Sequence, residues 1–126
     1  MSTLIVSNIT DGTTTVATTY VTNGSAKACV NFNGTGTIAT RDSLNVSGLV
    51  DDATGKYTIN FTSNMANDDY SLLGTCNNFS TANNNRVLNP LGSPAVGSVG
   101  VVTTIGSTVG LFDPENISTA IHGDLA

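Results

Sequence analysis

The sequence predicts an all-β fold, an antiparallel sandwich or jelly-roll-like domain that follows an extended N-terminal arm. Short runs of β-branched and aromatic residues alternate apolar and polar side chains, as Tyr57, Ile59 and Phe61 do with their neighbours, and this is the period of a half-buried strand. Asn, Gly and Asp residues interrupt these runs about every ten residues, as turns do in sandwiches and barrels. No helical periodicity extends far enough to predict a helix.

Seven strands are expected after the turn signal Asn23-Gly24. Their expected ranges are 26–33, 36–46, 56–63, 69–76, 98–105, 107–112 and 116–122. Alternate positions of these strands should face a shared core, which gives the set Val30, Phe32, Ile38, Val46, Tyr57, Ile59, Phe61, Ile117 and Ile121. Segment 77–97 is rich in Asn, Gly and Pro and is expected to be a loop, because Asn tolerates left-handed backbone conformations.

Residues 1–25 are expected to form an arm, and residues 26–126 the compact domain. A short strand over 4–9 would lead through the turn signal Asp11-Gly12 into a Thr-rich extended run over 13–21. This run has too few apolar residues for a core of its own, so it should be ordered only against sister chains or a host particle. The residues expected to make that contact are Leu4, Ile5, Val6, Ile9, Val16, Tyr20 and Val21.

The composition predicts an oligomer and excludes some partners. Charged residues make up only 10% of the 126 residues, and Trp is absent. So few bulky side chains give a thin core, and burial between identical copies would add stability. The net charge of −5, with four scattered cationic residues, argues against nucleic-acid binding. No apolar run reaches the roughly 20 residues that cross a bilayer, so no membrane insertion is expected.

The first residues, Met1 to Val6, lack the basic and long apolar regions of a secretion signal. We therefore expect a protein that is made in a cytoplasm and either kept there or released by lysis. Cys29 and Cys76 could form one bridge, but thiols made in a reducing cytosol usually stay free, so buried free thiols are expected.

Few residues could carry catalysis. His122 is the only histidine and Glu115 the only glutamate, and no GxSxG elbow is present. The pairs Asp51-Asp52 and Asp68-Asp69 lack the spacing of an EF-hand calcium loop. We expect no enzymatic activity, no catalytic or metal-ligating residue and no cofactor.

Three blocks of the chain resemble a domain found in fibre and tail-associated proteins of tailed bacteriophages, especially phages of marine bacteria. The blocks are residues 26–36, 51–62 and 120–124; the family reads roughly AKAWVNFNGTG, then a DNGTGDYTVNFT-like hairpin, then an AIxGD-like strand. Cys29 occupies the place of the family's Trp. The resemblance implies a non-enzymatic homotrimer located in the virion, in contact with capsid or tail proteins.

A carbohydrate site would combine an aromatic platform with amide and hydroxyl groups. Loop residues of both kinds supply the candidate contacts with a host-surface polysaccharide: Tyr70, Phe79, Asn83, Asn84, Asn85 and Arg86. The function expected first is therefore a trimeric fibre or knob that adheres to host glycans. Two alternatives remain open: a capsid decoration or head-fibre protein anchored by the arm, and a soluble carbohydrate-binding module.

Overall fold

The computed structural model describes residues 2–79, 86–106 and 110–126. Over these residues the backbone forms strands and one short helix. In chain order they are β1 (Asn8–Thr10), β2 (Thr15–Ala17), α1 (Thr18–Gly24), β3 (Ala28–Asn33), β4 (Ala39–Leu44), β5 (Val46–Ala53), β6 (Lys56–Phe61), β7 (Ser71–Asn77), β8 (Arg86–Pro90), β9 (Ser98–Ile105), β10 (Gly110–Leu111) and β11 (Asn116–His122).

Two antiparallel sheets carry the domain. The four-stranded sheet has the order β4-β3-β11-β7, and the five-stranded sheet the order β10-β9-β6-β5, with β8 also paired to β9. Every ladder in the described residues is antiparallel. The predicted all-β class is therefore confirmed, while the jelly-roll-like connectivity and the trimer stay predictions.

The core lies between the two sheets. The ring of Phe32 in β3 meets the ring of Tyr57 in β6 edge-on, with centroids 5.3 Å apart. Seven of the nine residues that the alternation assigns to the core are buried, and the other two, Ile38 and Val46, are partly buried and pack against them. The core also contains Ala28, Met65, Tyr70, Cys76, Val99 and Val101.

The strands agree with the sequence pattern where alternation is strict and differ where a corner interrupts it. β9 and β11 have the predicted bounds. The expected strand 36–46 instead ends at a corner, where Asn45 has a φ of 54° and a second strand, β5, begins one residue later. β8 lies inside the segment expected to be a loop, so that prediction is wrong over Arg86–Pro90.

The N-terminal segment, defined here as residues 2–25, is not extended throughout. β1 and β2 form a hairpin, and Thr18–Gly24 is helical, so the extended run predicted over 13–21 is wrong in its second half. The Thr18 hydroxyl contacts the carbonyl oxygens of Val6 and Ser7 at 3.1 Å, which ties the start of the helix to the hairpin. No residue of the segment is buried.

Candidate functional site

The outer face of the four-stranded sheet is a surface on which the strand register aligns side chains in rows. One row crosses all four strands and consists of Leu44, Cys29, Ala120 and Leu73. The next row is polar and consists of Asp42, Asn31, Ser118 and Thr75. Because residues two apart on a strand point to the same face and lie about 6.7 Å apart, the two rows place an apolar strip beside a line of hydrogen-bonding groups.

Asn31 is the centre of the polar row. Its Nδ2 donates to Asn116 Oδ1 at 2.8 Å and to the Ser118 hydroxyl, so one amide links β3 to two positions of β11. Asn77 lies opposite Asn116 in the β7–β11 ladder, and its Oδ1 is buried without a hydrogen-bond partner. A buried acceptor without a donor is uncommon and requires an explanation, such as a bound water or ligand.

Arg41 adds a positive charge to this face. The register of β4 shifts beside Asn31, and this bulge leaves Arg41 as the extra residue, a feature that re-aims a side chain. The guanidinium donates to Asn116 Oδ1 at 3.2 Å and to the Glu115 carbonyl at 2.6 Å. The guanidinium is therefore held over the end of the amide cluster, and the Arg41 side chain is exposed to solvent.

An exposed aromatic ring completes the face. Phe79 is 69% exposed, and its ring centroid lies 5.8 Å from Arg41 Cζ. Its backbone N–H donates to Glu115 Oε2 at 2.8 Å, and the Glu115 N–H in turn donates to Asn78 Oδ1 at 2.9 Å. These two bonds fix the loop after β7 against the start of β11, so the ring is positioned by the fold.

A groove of about 600 Å³ opens on the β7 side of this face. Both rows contribute to it, Thr75 and Ser118 from the polar row and Leu73 and Ala120 from the apolar row. Gly74 forms part of the wall, where a Cβ would lie 2.9 Å from Leu88 Cδ2 and from the Ser118 carbonyl. The glycine therefore leaves room for the Leu88 side chain of β8, which also lines the groove.

These groups together form what we call the outer-face site: Asn31, Arg41, Thr75, Asn77, Phe79, Asn116 and Ser118. Amides, hydroxyls and a guanidinium lie beside an apolar strip and an aromatic ring, a combination that matches the hydroxyl edge and the apolar face of a sugar. Arg also pairs well with carboxylates. Among the described residues, no three His, Cys, Asp or Glu side chains lie together as a metal site.

Of the predicted surface contacts, Phe79 belongs to the outer-face site and Tyr70 does not. Tyr70 is in the core, where its ring meets Phe61 edge-on at 5.9 Å and its hydroxyl lies 3.0 Å from the carbonyl oxygens of Ala95 and Ser98. Burial raises its pKa. The prediction of Tyr70 as an exposed platform is wrong because the short loop before β7 turns this side chain inward. Asn83, Asn84 and Asn85 lie outside the described residues.

Arg86 lies apart from the outer-face site, in β8 of the other sheet. Its guanidinium stacks on Phe112 with Cζ 4.1 Å from the ring centroid, and Nε and Nη1 are buried without a hydrogen-bond partner. Burial raises the pKa of the Cys76 thiol, and the Arg86 charge opposes that rise. Arg86 therefore faces the interior side of its strand instead of an exposed loop.

Sequence reasoning missed six members of the outer-face site, all except Phe79, and a signal for three of them was present in β3 and β11. Asn31, Asn116 and Ser118 are the polar residues that alternate with the core residues of β3 and β11. Pairing β3 with β11 would have placed them together. Arg41 could not be found this way, because its position depends on the bulge.

A second candidate surface is the N-terminal segment. The seven apolar residues predicted to make contacts there are all exposed, each by between 38% and 90%. A groove of about 320 Å³ lies among them and is lined by Ile9, Thr10, Asp11, Thr14, Val16 and Val21.

Comparisons with protein-family models, with curated proteins and with solved structures gave no match. In the part of the chain that the structure describes, no helix has the length and apolar character to span a membrane.

Proposed function

We propose that the chain is a non-enzymatic structural protein of a bacteriophage particle, a homotrimeric fibre or knob that adheres to host-surface saccharide through the outer-face site. The observation that carries the adhesive part is the preorganised cluster of Asn31, Arg41 and Asn116 beside the exposed Phe79 ring. The resemblance of residues 26–36 and 51–62 to phage fibre domains supports the virion location.

The site would bind a sugar by two kinds of contact. The Arg41 guanidinium and the amides of Asn31 and Asn116 would hydrogen-bond to ring hydroxyls or to a carboxylate. The Phe79 ring and the strip around Leu73 and Ala120 would cover the apolar face of the sugar. One shallow site of this kind binds weakly, and display on three joined copies raises avidity by about 10² or more.

Binding of the purified protein to the capsular polysaccharides and lipopolysaccharides of candidate hosts tests this proposal. We expect Arg41→Ala and Phe79→Ala each to weaken binding at least tenfold, because each removes a contact without removing a core residue. Asn89→Ala is the matched control, since this amide is exposed on the other sheet, and it should bind like wild type. Equal binding by all three variants would contradict the outer-face site.

A second function is favoured by a separate observation, the seven exposed apolar residues of the N-terminal segment. In a capsid decoration or head-fibre protein this segment would seat the chain on the particle, and adhesion would be secondary. Cryo-microscopy of particles separates the two, because it shows whether the outer-face site faces solvent or a neighbouring capsid protein. A protein that binds polysaccharide but is absent from particles would instead be a soluble carbohydrate-binding module.

A further inference from the structure

We propose that Leu4 and Ile5 of one copy insert into the groove formed by Ile9, Val16 and Val21 of a second copy. This proposal rests on the proposed self-association. We call Leu4 and Ile5 the donor because they insert, and we call the groove the acceptor because it receives them. The proposal does not depend on carbohydrate binding.

The acceptor groove has an apolar lining and polar groups that are already engaged. Ile9 and Val16 are paired across the hairpin and, with Val21 of the helix, line one side. At the turn, Asp11 Oδ1 accepts the N–H groups of Thr13 and Thr14 at 2.9 and 2.7 Å, and these bonds lower the Asp11 pKa. The groove therefore favours an apolar, uncharged occupant.

The donor is the most exposed apolar pair in the segment. Leu4 is 84% and Ile5 90% exposed. They do not line the groove of their own chain, and the next residues, Val6 and Ser7, are tied to Thr18 by its hydroxyl and its backbone N–H. The two side chains therefore lie exposed outside the groove of their own chain.

Charge and size both favour a second copy as the occupant. Asp11 is the only charged residue between positions 2 and 25, so nothing in the segment selects a strongly charged partner. The segment offers 24 residues with none buried, and a stable protein interface uses about 20–30 residues on each side. Each copy supplies both an apolar donor and an apolar groove, so the contact runs head-to-tail from one copy to the next around a homotrimer.

Disulfide trapping between co-expressed full-length chains tests the contact. One chain carries Ile5→Cys and the other Val16→Cys, both in a Cys29→Ala background. The control pair replaces Val16→Cys by Thr13→Cys, which is exposed at the turn and does not line the groove. We expect at least five times more mixed-chain disulfide, identified by peptide mass spectrometry, for the Val16 pair.

Light scattering over a concentration series gives the second readout. We expect Leu4→Ser with Ile5→Ser to raise the dissociation constant of the oligomer at least tenfold. Val50→Ser with Val87→Ser, which alters exposed apolar residues of the domain, should change it less than threefold. An oligomer that shows neither the preferential disulfide nor the weakening would overturn this contact and leave self-association intact. A monomeric wild type at every concentration would overturn both.

Discussion

The N-terminal segment and the domain are built from similar residues, but only the domain buries its apolar side chains. Both contain Thr-rich runs with interspersed Val and Ile, and both form antiparallel strands. In the domain, β3 and β11 bury every second side chain, whereas the β1–β2 hairpin buries none. The alternating pattern therefore permits burial, and a second apolar surface is needed to produce it.

The difference follows from the number of strands. A two-stranded hairpin has no sheet behind it and is at best marginally stable alone, whereas three or more strands with a packed face are stable. The hairpin is held by local bonds around Asp11 and Thr18, and the domain by a core that both sheets share. Variants in the two regions should therefore differ sharply in their effect on unfolding.

The largest effect is expected in the core. Phe32→Ala removes a fully buried ring and its edge-on contact with Tyr57, and it should lower the free energy of unfolding by about 3–5 kcal/mol. Tyr20→Ala in the N-terminal segment removes a ring that is 75% exposed, and it should change that free energy by less than about 0.5 kcal/mol. Urea unfolding of both variants checks the comparison, and similar losses for the two would contradict it.

The next largest effect separates the cost of a left-handed backbone conformation from the cost of crowding by neighbouring atoms. Gly55 has a φ of 67°, and a Cβ there would lie 2.8 Å from the Thr103 carbonyl oxygen and 2.9 Å from backbone atoms of Phe112. Gly36 has a φ of 63°, and a Cβ there would meet nothing within 4 Å. In both Ala variants, the left-handed backbone conformation should lower the free energy of unfolding by about 1–2 kcal/mol. Only Gly55→Ala should lower it by about 1–3 kcal/mol more, because the new Cβ overpacks the site.

Thermal or urea unfolding measures this pair directly. Equal losses for Gly55→Ala and Gly36→Ala would mean that the hairpin after β5 can shift away from Phe112. In that case the hairpin between β5 and β6 would be loosely packed, like the exposed N-terminal segment.

A pH-dependent effect at alkaline pH is expected in the core. Burial, and then the 2.8 Å hydrogen bond to Asp113, raise the pKa of Tyr57 above its ordinary value near 10. The folded state therefore keeps this proton at a pH where the unfolded chain loses it. The stabilisation is fully present below about pH 10 and is lost as the pH rises further.

Urea unfolding between pH 7 and pH 11.5 tests this sign. Tyr57→Phe should cost about 1.5–3 kcal/mol at pH 7, because Asp113 loses the hydroxyl donor and keeps the Gly55 N–H. It should also flatten the decline above pH 10. The decline should not vanish, because burial raises the pKa of Tyr70 as well. A wild type whose stability rises between pH 10 and pH 11 would contradict the account.

Sequence reasoning found the elements whose pattern is local and strict. The alternation around Phe32, Tyr57 and Ile117 was enough to assign core positions. β8 was missed because Arg86 and Asn89 flank only two apolar residues, and its existence depends on pairing with β9, the next strand of the chain. The corner at Asn45 was missed because its left-handed conformation is fixed by contacts with Ser63, 18 residues away.

The outer-face site was only partly predictable for the same reason. Phe79 was assigned from residue type alone, and its neighbours come from β3, β4 and β11. Which outward residues share a row is a property of the register, and the register is fixed by the core. Tyr70 shows the converse, since a Tyr in a polar loop was expected outside and lies inside.

The smallest effect is expected from removing most of the N-terminal segment. Deletion of residues 1–22 breaks only exposed contacts with the domain, such as that between Lys27 and the Thr22 carbonyl, and leaves both sheets intact. Measured at concentrations at which both chains are monomeric, the free energy of unfolding of the domain should change by less than about 0.5 kcal/mol. Under the proposed function, the deleted chain should lose self-association and its place on the particle. Leu4→Ser with Ile5→Ser is the milder control. If the deletion instead lowers stability by several kcal/mol, the segment packs on the domain, and its apolar residues are part of one core rather than a surface for other chains.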